Sequence, residues 1–206
     1  MPAANNDFLP RVQQAIATSI AVKQDLLASA DTLTTIARVS EVLITAVKKG
    51  NKPILFGNGG SAADAQHIAA EFVGRFAFNR PALAALALSV NTSCLTAIGN
   101  DYGFEEVFAR QLEALGRAGD VAIGISTSGN SPNVLRAFDV ARKMGICSVG
   151  LTGASGGKLK AAVDFCICAP SSDTPRIQEC HILIGHIISE LVEETIFYEQ
   201  SRISRP

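Results

Sequence analysis

The chain has 206 residues, of which 48% are hydrophobic and 18% charged, and its formal net charge at pH 7 is -1. This composition excludes a disordered chain, and the small net charge provides no general attraction to nucleic acid. No apolar run approaches the ~20 residues of a membrane-spanning helix, and the first residues lack the pattern of a secretory signal. We therefore expect a cytoplasmic protein with no membrane partner, folded as a single domain over residues 1–206 with its core at about 35–197.

The predicted elements alternate between helices and short apolar strands. Two amphipathic helices come first, at residues 7–28 and 32–49. Short apolar runs, bounded by glycine or polar residues, then predict strands at residues 53–56, 84–88, 121–125, 147–151 and 163–168. Helical patterns occupy residues 61–75, 102–115, 133–144 and 175–199. This alternation is typical of an α/β fold in which helices cover both faces of a parallel sheet.

The last helix is apolar over much of its circumference, which indicates burial against several partners, including other subunits. The five cysteines are an odd number and lie among apolar neighbours. Cys166 and Cys168 share one face of a predicted strand and could form a metal or redox pair. We favour buried structural thiols in a reducing compartment.

Two loops have the composition of a phosphate site. The first follows residues 53–56 and contains Gly57, Asn58, Gly59, Gly60 and Ser61 at the start of a helix. Glycine allows the backbone to approach a ligand, and the free N–H groups of a helix start attract an anion. The alternative is a tight turn with Ser61 as the helix cap.

The second loop follows residues 121–125 and contains four hydroxyl groups, those of Ser126, Thr127, Ser128 and Ser131. Pro132 suits the first helical position and Ser131 the cap. Four hydroxyls exceed what one cap requires and suit the oxygens of a phosphate monoester. Neither loop has the lysine of a nucleotide P-loop or the spacing of a dinucleotide site, so a sugar phosphate fits better than a nucleotide.

Histidine and carboxylate residues supply candidate catalytic groups. His67 and Glu71 are four residues apart on one predicted helix, a spacing that can hold a divalent metal, most often zinc; the alternative is a histidine simply bonded to a glutamate. His186 lies among apolar residues of the last helix, where it is either a site residue or a core histidine bonded to a carbonyl.

Four segments of the sequence resemble one known family. They are NGGSAADAQH at 58–67, AIGND at 97–101, STSGNS at 126–131 and RIQE at 176–179. In this order they resemble the SIS (sugar isomerase) superfamily and, more closely, its phosphoheptose isomerases, from about residue 8 to 197. Asn91 stands where many relatives have aspartate.

The resemblance implies a flavodoxin-like SIS fold, a three-layer αβα sandwich with a five-stranded parallel sheet. It also implies a homotetramer with active sites between subunits and one zinc ion per subunit. The family converts D-sedoheptulose 7-phosphate into D-glycero-D-manno-heptose 7-phosphate, an early step toward the heptose of lipopolysaccharide and related glycans.

The resemblance also implies roles for individual residues. The catalytic residues are Glu71 as base and His186 as acid, and the metal ligands are His67, Glu71, Gln178 and His186. The residues implied in substrate binding are Asn58, Gly59, Gly60, Ser61, Glu71, Asn100, Asp101, Ser126, Thr127, Ser128, Ser131 and Gln178.

One spacing conflicts with a simple metal site. Gln178 and His186 are eight residues apart, which is a rise of ~12 Å on a straight helix. We therefore expect either that the site is divided between two subunits or that Gln178 lies outside the regular helix.

Three other functions remain open from the sequence. A superfamily member can keep the fold as a binding protein, such as the relative that binds the replication initiator DnaA, but such relatives lack the Glu71 and His186 pair. An isomerase for another sugar phosphate is compatible with the same loops. A sugar-phosphate-sensing regulator would ordinarily need a DNA-binding segment, for which neither the length nor the charge leaves room.

Overall fold

The structure is a computed structural model that describes residues 8–197. Its elements are α1 (Leu9–Ala28), α2 (Ala30–Lys48), β1 (Pro53–Gly57), α3 (Gly60–Val73), β2 (Leu86–Ala87), α4 (Thr92–Tyr102), a 3₁₀ turn (Phe104–Glu106), α5 (Ala109–Leu115), β3 (Val121–Ile125), α6 (Pro132–Met144), β4 (Cys147–Thr152), α7 (Leu159–Ala162), β5 (Phe165–Cys168) and α8 (Thr174–Ile196).

The five strands form one parallel sheet in the order β2-β1-β3-β4-β5. Every strand pair is parallel, and the register places Gly57 at the end of β1 beside Ile125 at the end of β3. The predicted α/β class and five-stranded parallel sheet are confirmed. The strand order reverses between β1 and β3, and such a switch point is where open α/β sheets bind their ligands.

Helices cover both faces of the sheet, which explains why the strand sequences do not alternate between apolar and polar residues. Along β1, Leu55 belongs to a core with α2, α3 and α8, whereas Ile54 and Phe56 belong to a second core with α5 and α6. All five residues of β1 and all five of β3 are buried. Both strands therefore need apolar residues at successive positions.

One predicted helix is wrong. The helix expected at residues 102–115 is instead a 3₁₀ turn followed by the seven-residue α5, and the helix α4, which was not expected, precedes them. No residue of α4 is fully buried, and only Leu95 and Ile98 pack partly against the core, so its apolar pattern is short and hard to recognise. Asn91 caps this helix, since its side chain accepts a hydrogen bond from the N–H of Cys94 at 3.0 Å. Aspartate makes the same cap, so the departure from the family pattern conserves this function.

The four-residue α7 was not expected either, and the other boundaries agree with the expectation to within a few residues. Residue 7 of the first predicted helix and residues 198–199 of the last lie outside the described residues. Within residues 8–197, no helix is both long enough and apolar enough to cross a membrane.

The cysteines are less buried than expected. Only Cys180 is buried, and the other four are half-buried. The Sγ atoms of Cys166 and Cys168 lie 3.8 Å apart on β5.

Candidate active site

The two serine-containing loops lie side by side at the switch point of the sheet. Loop 1, residues 57–61, runs from the last residue of β1 into the start of α3, and loop 2, residues 126–131, follows β3. Because β1 and β3 are adjacent and parallel, both loops leave the same edge of the sheet. The sequence predicted each loop, but their adjacency depends on the strand order.

Loop 1 begins α3 differently from the expected turn. The cap position is Gly59, with φ 56°, and α3 begins at Gly60. Ser61 is therefore the second residue of the helix rather than its cap, and its side chain is buried. The alternative reading of Ser61 as a cap is wrong.

Loop 2 is held in one conformation by its own hydroxyls and by its glycine. The Oγ atoms of Ser126 and Ser131 lie 2.9 Å apart. Gly129 has φ 67°, and a Cβ there would collide with the carbonyl oxygen of Gly156, so only glycine fits. Ser131 occupies the cap position of α6 and Pro132 its first turn, as expected. The side chain of Ser131 caps no N–H of α6; its hydroxyl is paired with that of Ser126 instead.

An amide pair joins the two loops. Asn58 of loop 1 donates to Asn133 Oδ1 at 2.9 Å, and Asn133 donates back to Asn58 Oδ1 at 2.8 Å. Asn133 is 2% exposed and Asn58 is half-buried, so the pair is partly shielded from water. Sequence analysis did not single out Asn133, because an asparagine in the first turn of a helix gives no sign of a partner 75 residues away.

A cavity of about 430 Å³ lies beside this pair. Its walls come from both loops and from the 3₁₀ turn, and they include Asn58, Gly103, Phe104, Glu105, Ser131, Pro132 and Asn133. This volume is adequate for a small phosphorylated ligand.

The second cluster of the site lies farther along α3. His67 Nε2 is 3.0 Å from Glu71 Oε1 and 3.0 Å from His186 Nε2. One atom from each of the three residues lies within 4.8 Å of the others. The structure thus brings together three of the four residues implied as metal ligands, and it places both implied catalytic residues in the same cluster.

Two further residues, Phe76 and Asp64, lie beside this cluster. The ring of Phe76 packs against His186, with centroids 5.7 Å apart. Asp64, one turn before His67, is half-buried with an unpaired Oδ2. Burial raises the pKa of Asp64, and the nearby His67 lowers it to a smaller extent. Asp64 was not among the expected site residues.

Close packing of α3 and α8 creates the cluster. A Cβ at Gly185 would lie 2.4 Å from Cδ1 of Ile68, so the two helices can approach this closely only because residue 185 is glycine. His186 follows Gly185 and His67 precedes Ile68. The contact therefore brings the two imidazoles together.

Gln178 lies at a different place on α8. Its amide fills the space that a side chain on Gly60 would need, so it sits at the start of α3, beside loop 1. Helix α8 is continuous from Thr174 to Ile196 and includes both Gln178 and His186. The alternative that Gln178 lies outside the regular helix is therefore wrong, and its metal ligation stays a prediction.

Two other implied contacts and the third histidine lie apart from the cluster. Asn100 and Asp101 are exposed at the end of α4 and hydrogen-bond to each other at 2.8 Å; their contact with substrate stays a prediction. His181 is fully buried, with Nε2 3.1 Å from the carbonyl oxygen of Thr152. Burial lowers the pKa of His181 to about 4, so this residue is a neutral core histidine.

The fold and site define a class of protein, an α/β domain with a five-stranded parallel sheet and two serine-containing loops at its switch point. The sequence model of the SIS-domain family matches residues 17–153 of this chain. The chain is 56% identical over 192 residues to the phosphoheptose isomerase of Aneurinibacillus thermoaerophilus, covering 93% of this chain and 96% of that protein. It is 58% identical over 181 residues to phosphoheptose isomerase 2 of Campylobacter jejuni, covering 88% and 90%.

A solved structure agrees with these sequence matches. The phosphoheptose isomerase GmhA from Neisseria gonorrhoeae superimposes with a TM-score of 0.85 at 43% identity, covering 91% of this chain and 99% of that one. The chain therefore belongs to the SIS-domain family and, within it, to the family of the phosphoheptose isomerases.

Proposed function

We propose that the protein is a phosphoheptose isomerase that converts D-sedoheptulose 7-phosphate into D-glycero-D-manno-heptose 7-phosphate, early in the biosynthesis of ADP-heptose and the lipopolysaccharide core. The supporting observation is that α3 begins at loop 1 and carries His67 and Glu71, which meet His186. His67 follows Gly60 by seven residues, two helical turns and ~10 Å along the same face. A linear sugar with its phosphate at loop 1 can extend along this face to the cluster.

Loops 1 and 2 hold the phosphate in this proposal. The hydroxyls of Ser61, Ser126, Thr127, Ser128 and Ser131 donate hydrogen bonds to its oxygens, and the N-terminal ends of α3 and α6 favour its negative charge. Asn58, Gly59 and Gly60 complete the loop 1 side, and Asn100 and Asp101 contact the sugar. Because phosphate is held equally in the ground and transition states, these contacts contribute to binding rather than to the chemical step.

Glu71 and His186 transfer the protons. Isomerisation moves one hydrogen from C1 of the ketose to C2, through an enediol-type intermediate. Glu71 removes the proton from C1 and returns it at C2, while His186 moves a proton between the two oxygens. Oxygen Oε1 of Glu71 and nitrogen Nε2 of His186 both face His67. We therefore assign Oε2 of Glu71 as the base and Nδ1 of His186 as the atom that carries the proton.

The cluster fits a zinc ion. Its donors are two imidazole nitrogens and one carboxylate oxygen, a set that zinc commonly takes, and one atom of each residue lies within 4.8 Å of the other two. His67, Glu71 and His186 would hold the ion, with Gln178 as a fourth ligand. Bound zinc would act as a Lewis acid that polarises the substrate carbonyl and favours the charge of the enediol form.

The homotetramer belongs to the same proposal. Apolar residues recur every four positions from the cap of α1 along the helix and are each more than half exposed: Phe8, Val12, Ile16 and Ile20. A stripe of this kind on a helix needs an apolar partner. Within one chain, Gln178 and His186 lie ~12 Å apart along α8, too far to bind the same ion. We therefore assign the fourth ligand of each site to Gln178 of a neighbouring subunit. We also propose a cytoplasmic location and a single SIS domain.

A panel of ketose phosphates, incubated with and without a chelator, tests the proposal by identifying the products. We expect turnover of sedoheptulose 7-phosphate, its loss in chelator and its return with zinc. The Glu71→Gln variant should lose ~10²–10⁴-fold in kcat while retaining substrate binding. No turnover of sedoheptulose 7-phosphate by the wild type would overturn the proposal, and preference for another ketose phosphate would replace its substrate.

A further inference from the structure

Arg80 and Glu193 form a buried ion pair that the proposed mechanism does not use. Each side chain is 1% exposed, and Arg80 Nε lies 3.7 Å from Glu193 Oε2. Burying two charges costs desolvation energy, so such a pair is weak evidence for stability by itself. The other hydrogen bonds of the two side chains show which backbone segments the pair fixes.

The guanidinium of Arg80 caps the end of α3. It donates from Nη2 to the carbonyl oxygen of Glu71 and from Nη1 to that of Phe72, both at 2.7 Å. Because α3 ends at Val73, these carbonyls belong to its last turn, where the helix itself supplies no donor. One planar fork thus fixes the backbone of the residue that we assign as the base.

The carboxylate of Glu193 holds the loop that follows α3. It accepts hydrogen bonds from the consecutive N–H groups of Phe76, Ala77 and Phe78, the shortest being 2.7 Å. Glu193 is seven residues after His186, two turns along the same face of α8. The ring of Phe76, which this carboxylate orients through its backbone, is the one that packs on His186.

We propose that Arg80 and Glu193 are positioning residues for the isomerisation. Arg80 fixes Glu71, and Glu193 fixes Phe76 and, through it, the ring of His186. The pair links the two helices whose side chains must meet at the substrate. This inference rests on the proposed function, because it assigns the pair to the geometry of Glu71 and His186.

The chain contains a matched control on the opposite edge of the sheet. Asp120 is also fully buried, accepts backbone N–H groups of Lys52 and Arg117 at 3.0 and 3.1 Å, and pairs with Lys52 Nζ at 2.7 Å. It lies immediately before β3, at the end opposite to the loops. Glu193→Gln and Asp120→Asn therefore make the same chemical change at equal burial.

The first comparison measures kcat, KM and thermal stability in the two variants. In Glu193→Gln, the new NH₂ group faces backbone N–H groups, so the loop must shift. We expect both variants to lose stability, but only Glu193→Gln to lose about 10- to 100-fold in kcat, with little change in KM. Equal kcat values in the two variants would refute a positioning role.

A second readout does not depend on turnover. Competition with a chromogenic chelator should show zinc bound about 10-fold or more weakly by Glu193→Gln than by Asp120→Asn, since partners that orient ligands commonly contribute that much. Unchanged zinc affinity would count against the inference. If the wild type does not isomerise sedoheptulose 7-phosphate, the proposed function fails while this titration still tests the pair.

The double variant Arg80→Met, Glu193→Gln keeps the test valid if the single change prevents folding. Removing both charges avoids leaving one buried and unpaired, so stability should recover relative to Glu193→Gln. We expect kcat to stay low, because the loop N–H groups still lack their carboxylate and the carbonyl of Glu71 now also lacks its Arg80 donor. Recovery of kcat together with stability would show that the pair is purely structural.

Discussion

Replacing Gly185 by alanine tests whether the close approach of α3 and α8 sets the geometry of His67 and His186. The added Cβ would lie 2.4 Å from Cδ1 and 2.6 Å from Cγ1 of Ile68. Carbon atoms in contact are normally ~3.5–4.0 Å apart, so the overlap is about 1 Å. The isoleucine or the helix must move by that amount.

Two opposing effects determine the stability of this variant. Overpacking costs about 1–3 kcal/mol, whereas alanine gains about 1 kcal/mol over glycine inside a helix. We therefore expect a net loss of unfolding free energy of about 0–2 kcal/mol. The protein should remain folded, which makes its activity interpretable.

The effect on the site should be larger than the effect on stability. If the helices separate by about 1 Å, the 3.0 Å contact between His67 and His186 opens by a comparable distance. A displacement of this size at reacting groups can reduce the rate by ~10²-fold. Steady-state kinetics with sedoheptulose 7-phosphate and a chelator competition for zinc measure the two consequences.

A compensating change separates packing from other effects of the alanine. Ile68→Ala removes both colliding atoms and leaves only Cβ, at 3.9 Å from the new methyl group. The double variant should recover kcat to within a few-fold of the wild type, although losing the isoleucine costs about 2–5 kcal/mol. Full kcat and zinc affinity in Gly185→Ala alone would refute the argument that this contact sets the site.

Three further predictions concern the loops and the core. Ser126→Ala combined with Ser128→Ala should raise KM with kcat nearly kept; an unchanged KM would place the phosphate elsewhere. Asn133→Ala leaves the amide of Asn58 unpaired. Chemical denaturation should therefore show a loss of about 1–3 kcal/mol in unfolding free energy, and steady-state kinetics should show a raised KM. Wild-type values of both quantities would mean that the pair does not hold the loops. The pKa of His181, held by burial at about 4, lies below its unfolded value, so only the unfolded chain binds this proton between pH 6.5 and 4. Unfolding free energy should therefore fall by about 3 kcal/mol from pH 7 to pH 4, and a His181→Gln variant with an equal fall would exclude this histidine as the cause.

Some parts of the fold were predictable because local sequence carries the signal. Strands β1, β3 and β4 are short apolar runs that are buried on both faces, and such runs are recognisable without a partner. Helix α6 was predicted because proline and serine mark its start. Helix α4 was not, because its apolar face is limited to partly buried residues such as Leu95 and Ile98.

The site was predictable to the extent that its residues are close in sequence. His67 and Glu71 are one helical turn apart, and their contact follows from that spacing. Loops 1 and 2 each contain glycines and hydroxyl groups within a few residues. This composition indicates a phosphate site without any knowledge of the tertiary structure.

Only the tertiary structure shows the contacts between segments that are distant in the chain. Asn58 meets Asn133, His67 meets His186, and Arg80 meets Glu193 across separations of 75 to 119 residues. Periodicity and helix caps describe the environment of a residue within a few turns, whereas these pairings depend on the strand order and on how closely α3 and α8 pack. The sequence by itself determined the types of groups and their local order; the packing of helices on the sheet decided which of them touch.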